Sequence, residues 1–302
     1  MPKGIVAALS LAAQLVAAGC RLGGDRNTVK LDSTDLDGRA ARVELAIRGG
    51  DSMTARDEPI ARWVLPADLN EASGLALTSD GRLLTHGDEQ GVVSEIDYRR
   101  GVVVKRFVLG RRAVLADFEG IAIAGDSIFL LTSNGKLYEF KEGANGEHVE
   151  YRIHDTELGR ECEFEGLAYD AEINSLLLAC KNVGTKKLRN SLVIYRWKLD
   201  GENQDRLSHL AVPLESVLAA HDWKDFHPTG IEVDPTGQTY ILVAAIERAL
   251  IVISPDGKVL STRELPTGHD QPEGVTITKD SILIISDEAV QRPAVITLYR
   301  WP

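Results

Sequence analysis

The 302-residue sequence is poor in several features that announce a chemistry. It holds three cysteines and no Cys-x-x-Cys pair, which excludes zinc ribbons and thiol redox motifs, and no His-x-x-x-His spacing that would place two ligands on one helix face. No Gly-x-Ser-x-Gly elbow is present, so serine hydrolysis of that type has no nucleophile. Positive charge is also in deficit: 34 Lys and Arg stand against 45 Asp and Glu, a net charge of −11. Nucleic-acid affinity rests largely on cations that neutralise phosphates, so DNA and RNA are excluded as main partners. What remains is an ordinary globular composition, 44% hydrophobic and 6% aromatic, with 27 Gly and 11 Pro.

The longest apolar run lies at the start, from Gly4 to Ala18, broken by Ser10 and Gln14 and followed by Gly19-Cys20. It is too short to span a bilayer as a finished helix and has the shape of an export signal. Small residues at Ala17, Ala18 and Gly19 directly before Cys20 resemble a bacterial lipobox, whose Cys is acylated and becomes the mature N-terminus. An ordinary secretory signal with a chance Cys is the alternative, and both predict export. The residue after Cys20 is Arg21, not Asp, which by resemblance to enteric lipoproteins favours the outer membrane over the inner. Residues 1–19 are thus expected to be a lipoprotein signal peptide, and the membrane is met through the lipid anchor alone. Residues 20–58 are rich in Gly, Asp, Arg, Thr and Ser, with one short apolar patch from Val43 to Ile47. They read as a flexible tether with an r.m.s. span on the order of 30 Å.

From Pro59 a motif recurs: Glu71-Ala-Ser-Gly74, Asp117-Phe-Glu-Gly120, Glu163-Phe-Glu-Gly166, His227-Pro-Thr-Gly230 and Gln271-Pro-Glu-Gly274, each followed by an apolar strand pattern. The glycines are 46, 46, 64 and 44 residues apart, a period that points to β-propeller blades. Each unit continues through a turn into a second and third apolar run, and four units have a fourth. The fifth ends at Pro302 without one, while an orphan strand pattern, Ile60 to Leu65, precedes the first. Placing that segment as the outer strand of the last blade removes two exposed sheet edges. The predicted fold is all-β: a five-bladed propeller over residues 59–302.

The first strand of a blade lines the central channel, where glycine permits close backbone approach. The residues before the five glycines are Ser73, Glu119, Glu165, Thr229 and Glu273, all oxygen-bearing. Around a pseudo-fivefold axis they would form a ring at one mouth. Clustered carboxylates in a partly dry channel cannot all ionise cheaply. Three arrangements satisfy them: hydrogen bonds to the neighbouring blade as an architectural cap, a hard cation such as Ca²⁺ held by Glu119, Glu165 and Glu273, or a ligand amine or catalytic role. The ends of the second strands should reach the same rim and bring His86, Asp88, Asn134, Lys181, Glu247, Arg248, Asp287 and Glu288. Lys181 and Arg248 would neutralise the ring without metal.

The repeated Glu-Gly-hydrophobic units, Phe164-Glu-Gly-Leu-Ala-Tyr-Asp170, Pro255-Asp-Gly-Lys-Val-Leu260 and the terminal Pro272-Glu-Gly274 unit resemble the bacterial SdiA-regulated family of propellers. The resemblance covers about Pro59 to Pro302. It implies a cell-envelope propeller, with calcium as a candidate ion, and supplies no catalytic constellation. Ser73 and Thr229 depart from the Glu of the other three units, which leaves any metal cage incomplete.

Cys162 and Cys180 fall on the first two strands of the third unit, close enough for a disulfide in an oxidising compartment; otherwise they are two small buried residues. His86, His227 and His269 fall near inferred blade mouths and would serve as bases if paired with carboxylates. Two functions follow. One is an envelope-tethered monomer that binds a small molecule or an envelope protein. The other, by analogy of fold alone, is a calcium-dependent hydrolase of lactonase, esterase or phytase type working at the same mouth. An acidic chain with scattered Lys and Arg argues against the phytase.

Overall fold

The computed structural model describes residues 35–49, 57–201 and 206–301. Cys20 and the expected signal peptide lie outside these residues. Among the described residues no helix is long and apolar enough to cross a membrane.

Five antiparallel sheets follow one another along the chain as the blades of a propeller. A strand β1 (Ala61–Val64) precedes the first blade, β2 (Ala72–Leu77), β3 (Leu83–Gly87), β4 (Val92–Asp97) and β5 (Val102–Leu109). The second blade is β6 (Phe118–Ala124), β7 (Ser127–Thr132) and β8 (Lys136–Lys141), followed by β9 (His148–Val149) and β10 (Tyr151–Asp155). The third comprises β11 (Cys162–Asp170), β12 (Ser175–Val183), β13 (Ser191–Lys198) and β14 (Leu207–Pro213). The fourth comprises β15 (Pro228–Val233), β16 (Tyr240–Ala244), β17 (Ala249–Ile253) and β18 (Val259–Glu264), and the fifth β19 (Pro272–Ile277), β20 (Ile282–Asp287) and β21 (Val295–Arg300).

The ring closes as expected. Strand β1 pairs with β21 from Ala61 opposite Leu298 to Val64 opposite Val295. Trp63 is buried there, and its indole N–H donates to the Tyr98 carbonyl of the first blade at 2.7 Å, so the closing strand also crosses the seam between last and first blades. The apolar core lies between blades: Phe107, Leu109, Phe118 and Leu130 pack the first against the second, and Ile194, Val212, Tyr240 and Ile251 the third against the fourth. Cys162 and Cys180 are joined in a disulfide across the first two strands of blade three, with Cα atoms 5.7 Å apart.

Two segments depart from the sequence reading. The outer strand expected at about Val149 to Ile153 is divided. Strand β9 pairs in parallel with β5 of the first blade, and only β10 completes the second. Val149 is the reason: its side chain is buried in the cluster containing Phe107 and Leu109. Within the stretch read as a tether, Leu36–Arg48 forms a helix, α1. The Asp35 carboxylate caps it by accepting the Gly38 N–H at 2.9 Å, and Val43 is its buried apolar contact. Most of its anchoring is polar. Arg39 donates to the Arg100 carbonyl at 3.0 Å and lies over the Trp63 ring, Asp37 meets Arg100 at 3.0 Å, and Glu44 meets Arg99 at 2.5 Å. A helix held mainly by charged side chains carries little hydrophobic pattern, so it reads as linker.

At the axis the inner strands β2, β6, β11, β15 and β19 approach so closely that side chains are excluded. A Cβ on Gly120 would stand 2.6 Å from the Leu167 nitrogen and 2.8 Å from its Cβ. The same waist contains Gly74, Gly166, Gly230 and Gly274, and the space left there is about 10 Å³, near the minimum for one water. In all five blades the inner ladder skips one residue just before or at the glycine: Ser73 between Ala72 and Gly74, Glu119 between Phe118 and Gly120, Thr229 between Pro228 and Gly230, Glu273 between Pro272 and Gly274. In blade three the skip falls between Phe164 and Leu167. Such a bulge re-aims the side chain it carries.

Gly120→Ala should therefore cost about 1–3 kcal/mol of stability, because the clash is with backbone of the next blade and cannot relax by a rotamer change. Gly87→Ala, whose nearest contact would be an ordinary 3.6 Å, should stay within about 0.5 kcal/mol of the parent. Urea unfolding of the two variants is the measurement, and equal losses would contradict the crowded waist.

Candidate functional site

The repeated bulge delivers its five residues to one mouth, where they divide into two roles. The hydroxyls are structural. Thr229 is buried and donates to the Pro272 carbonyl of the next blade at 2.5 Å. Ser73 is buried and donates to the Glu288 carboxylate at 2.8 Å, with the Glu71 carbonyl 3.1 Å away. The three glutamates share the space between. Lys181, at the end of β12, places its ammonium on Glu165, and Gln271 donates its amide to Glu273 at 2.6 Å. Glu119 makes no hydrogen bond among the described residues.

Charge and burial act on these carboxyls in the same direction. Burial, joined by Glu165, Asp117 and Glu288, pushes Glu119 up to about 9, so it is protonated at neutral pH. Burial raises Glu165 to about 7 even though Lys181 opposes the shift. Glu273 is raised by burial and by Glu288 and Glu165, and Glu288 is raised by burial with Asp88 adding to it. The mouth is thus four carboxyls around one ammonium, holding protons that a free carboxylate would have lost. Beside it the neighbouring Asp88 carboxyl pushes Glu71 up to about 7.

The other rim residues scatter. Lys181 and Asp88 belong to the mouth. Asp287 does not: its carboxylate accepts from His269 Nδ1 at 2.7 Å in the core, and His269 Nε2 lies 2.8 Å from the Tyr299 hydroxyl. Its neighbour Glu288 takes the place at the ring, since consecutive residues leaving a strand face opposite ways. Of the two rim candidates Asp287 and Glu288, parity counted from Ser286, paired with Gly274, selects Glu288. His86 is fully buried and its Nδ1 meets the Gly87 carbonyl at 2.9 Å; burial pushes it down to about 4, so it is neutral and unpaired with any carboxylate. Arg248 occupies a left-handed turn position and makes no ion pair among the described residues, so Lys181 alone neutralises the ring. His227 is paired, its Nδ1 2.8 Å from Glu247.

Among the described residues no three His, Cys, Asp or Glu side chains are grouped to hold a metal ion. The Lys181 ammonium sits against Glu165, where a calcium ion would need that carboxylate for itself. The donor set as it stands fits an ammonium better than a divalent ion.

Solved structures with this architecture include glutaminyl cyclase from Myxococcus xanthus, 13% identical, with a TM-score of 0.56 over 80% of this chain and 94% of that one. The PQQ-bound aldose sugar dehydrogenase of Streptomyces coelicolor is 14% identical, with a TM-score of 0.50 over 79% and 98%. A luciferin-regenerating enzyme is 10% identical, with a TM-score of 0.50 over 80% and 95%. At these identities the likeness is one of fold, and the fold is a β-propeller that in these proteins carries enzymes. No protein-family model matches the chain, and no curated protein matches it.

The protonated ring makes stability fall with rising pH. Unfolded, Glu119 releases its proton near 4.5; folded, it holds it to about 9, so the native state binds more protons throughout that window. Glu119→Gln removes the linkage. It should raise Tm at pH 8 by roughly 10 °C and change Tm at pH 5 by no more than about 3 °C. Calorimetry at the two pH values decides, and a shift equal at both would contradict the raised carboxyl.

Proposed function

We propose that this chain is an exported, lipid-anchored propeller of the SdiA-regulated kind whose acidic mouth binds a ligand bearing positive charge. The observation that carries the reading is the imbalance at the mouth: Glu119, Glu165, Glu273 and Glu288 share the single ammonium of Lys181. A ligand ammonium entering there replaces the protons these carboxyls hold and makes charge-assisted hydrogen bonds with them. Glu119, which has no partner of its own, is the first acceptor. Ser73 and Thr229 fix the walls and leave the glutamates as the recognition surface. Attachment through Cys20 would keep the propeller at the envelope, on the periplasmic side.

Calcium is the competing occupant, with Glu119, Glu165 and Glu273 as its oxygen donors, and it requires Lys181 to leave Glu165. A hydrolytic role at the same mouth is favoured by one feature, the protonated Glu119, since a carboxyl that keeps its proton at neutral pH is a general acid.

Thermal shift with putrescine, with CaCl₂ and with EDTA separates the occupants. A site filled at a hundredfold excess over Kd stabilises by about 2.7 kcal/mol. Putrescine should raise Tm, and Glu119→Gln and Glu273→Gln should each reduce the rise. A rise with calcium that EDTA reverses, with none from putrescine, would replace this reading by the ion. No response to either would end it. Lactone, ester and phosphoester substrates that are turned over by the parent and by neither variant would make the mouth catalytic. Cys20→Ala should move the protein from the membrane fraction to the soluble periplasmic one.

A further inference from the structure

The propeller has a second end. Beyond the glycine waist the inner strands diverge around a cavity of about 480 Å³, within the range of small-molecule pockets. Leu75, Ile121, Leu167, Val233 and Ile277, one from each inner strand or its end, contribute to its wall. The waist separates it from the acidic mouth, because the roughly 10 Å³ left there admits at most one water.

Glu232 stands in this aliphatic wall. Its carboxylate accepts the Thr276 hydroxyl at 2.5 Å and the Val233 N–H at 2.8 Å, and no cation reaches it among the described residues. The two basic residues that line the cavity are engaged elsewhere. Arg99 meets Glu44 of α1 at 2.5 Å and Asp280 at 3.5 Å, and Lys279 donates to the Ser79 carbonyl at 3.1 Å. Burial pushes Glu232 up to about 7 despite both hydrogen bonds, with Asp234 adding to the shift. Asp80 and Asp280, which also line the cavity, are paired with Arg82 and Arg99, but Glu232 has no counter-ion beside its aliphatic neighbours, and such a carboxyl is costly unless something carries positive charge to it. Thr276 leaves the remaining lone pairs of the carboxylate open to such a group.

We propose that this cavity is a second binding site, separate from the acidic mouth, for a small amphipathic amine whose ammonium pairs with Glu232 and whose hydrocarbon body lies on the aliphatic wall. The proposal does not rest on the reading of the mouth. The two sites differ in what they reward. The mouth is a charged rim and responds to positive charge, whereas the cavity responds to charge and hydrocarbon together.

The test is titration of the intact protein at pH 8 with propyl-, butyl-, pentyl- and hexylammonium, with hexanol and hexanoate as controls, read by calorimetry and thermal shift. Affinity should rise about fourfold per added methylene, the gain expected for burying each one. Hexanoate should not bind. Glu232→Gln should lower hexylammonium affinity at least tenfold and leave that of hexanol within twofold, and Glu119→Gln at the other mouth should leave the chain-length series unchanged. The proposal is overturned if Glu232→Gln binds hexylammonium like the parent, if hexanoate binds as well, or if affinity is independent of chain length. A chain-length series abolished by Glu119→Gln and kept by Glu232→Gln would also overturn it, by assigning the amine to the mouth. Should Glu232→Gln fail to fold, Glu232→Asp in its place should lower hexylammonium affinity and spare hexanol.

Discussion

Everything at the axis follows from how closely five inner strands approach. At Gly120, Gly166 and Gly230 backbone of the neighbouring blade stands where a Cβ would otherwise reach, and at Gly74 and Gly274 the side chains of His86 and Ser286 do; each ladder accommodates the crossing by skipping one residue. The skipped residue loses its cross-strand partner and turns toward the axis. One steric requirement therefore closes the channel, and it fixes which five side chains face its mouth. It also makes two chambers out of one channel, with different chemistry on either side of the waist.

The two chambers treat buried charge differently. At the mouth several carboxyls lie within each other's field, and the structure lowers the cost by protonation and by a single ammonium, Lys181. Blade one contributes Ser73 as a donor to Glu288 of the last blade, so the hydroxyl positions and the carboxyls vary together instead of repeating a pattern. In the cavity Glu232 has no cation partner and relies on two hydrogen bonds, while Asp80 and Asp280 of the same lining are paired with Arg82 and Arg99. Burial is the largest influence at both sites, and at the mouth neighbouring carboxyls add to it. The core histidine His269, held by Asp287 and Tyr299, shows the third solution, full burial with each ring nitrogen paired.

Much of this was legible in the chain. The period of the glycines predicted the blades, the orphan segment around Trp63 predicted the closure, and the spacing of Cys162 and Cys180 allowed the bond that forms. The misreadings have physical causes. Helix α1 is held by Arg39, Asp37 and Glu44, and a polar attachment leaves no apolar period to detect. Strand β9 joins the preceding blade because Val149 finds a better cavity there, a choice that local propensity does not contain. Asp287 turns into the core because it alternates with Glu288 along the strand, whereas His86 stands level with Gly74 and is fully buried beneath the rim. Arg248 makes no ion pair with the acids of the ring among the described residues, because its left-handed turn position is a property of the fold that residue type does not reveal.

By itself the sequence determined the repeat, the number of blades, the need for glycine at each crossing and the oxygen-bearing residue before it, because these are local rules applied five times. Tertiary structure alone decided which acids meet and which cation joins them, since fields and burial act across blades that are dozens of residues apart. It also decided that the opposite end of the axis holds a cavity. A cavity belongs to no residue: it is what five diverging strands leave between them, and Glu232 acquires its character only from that setting.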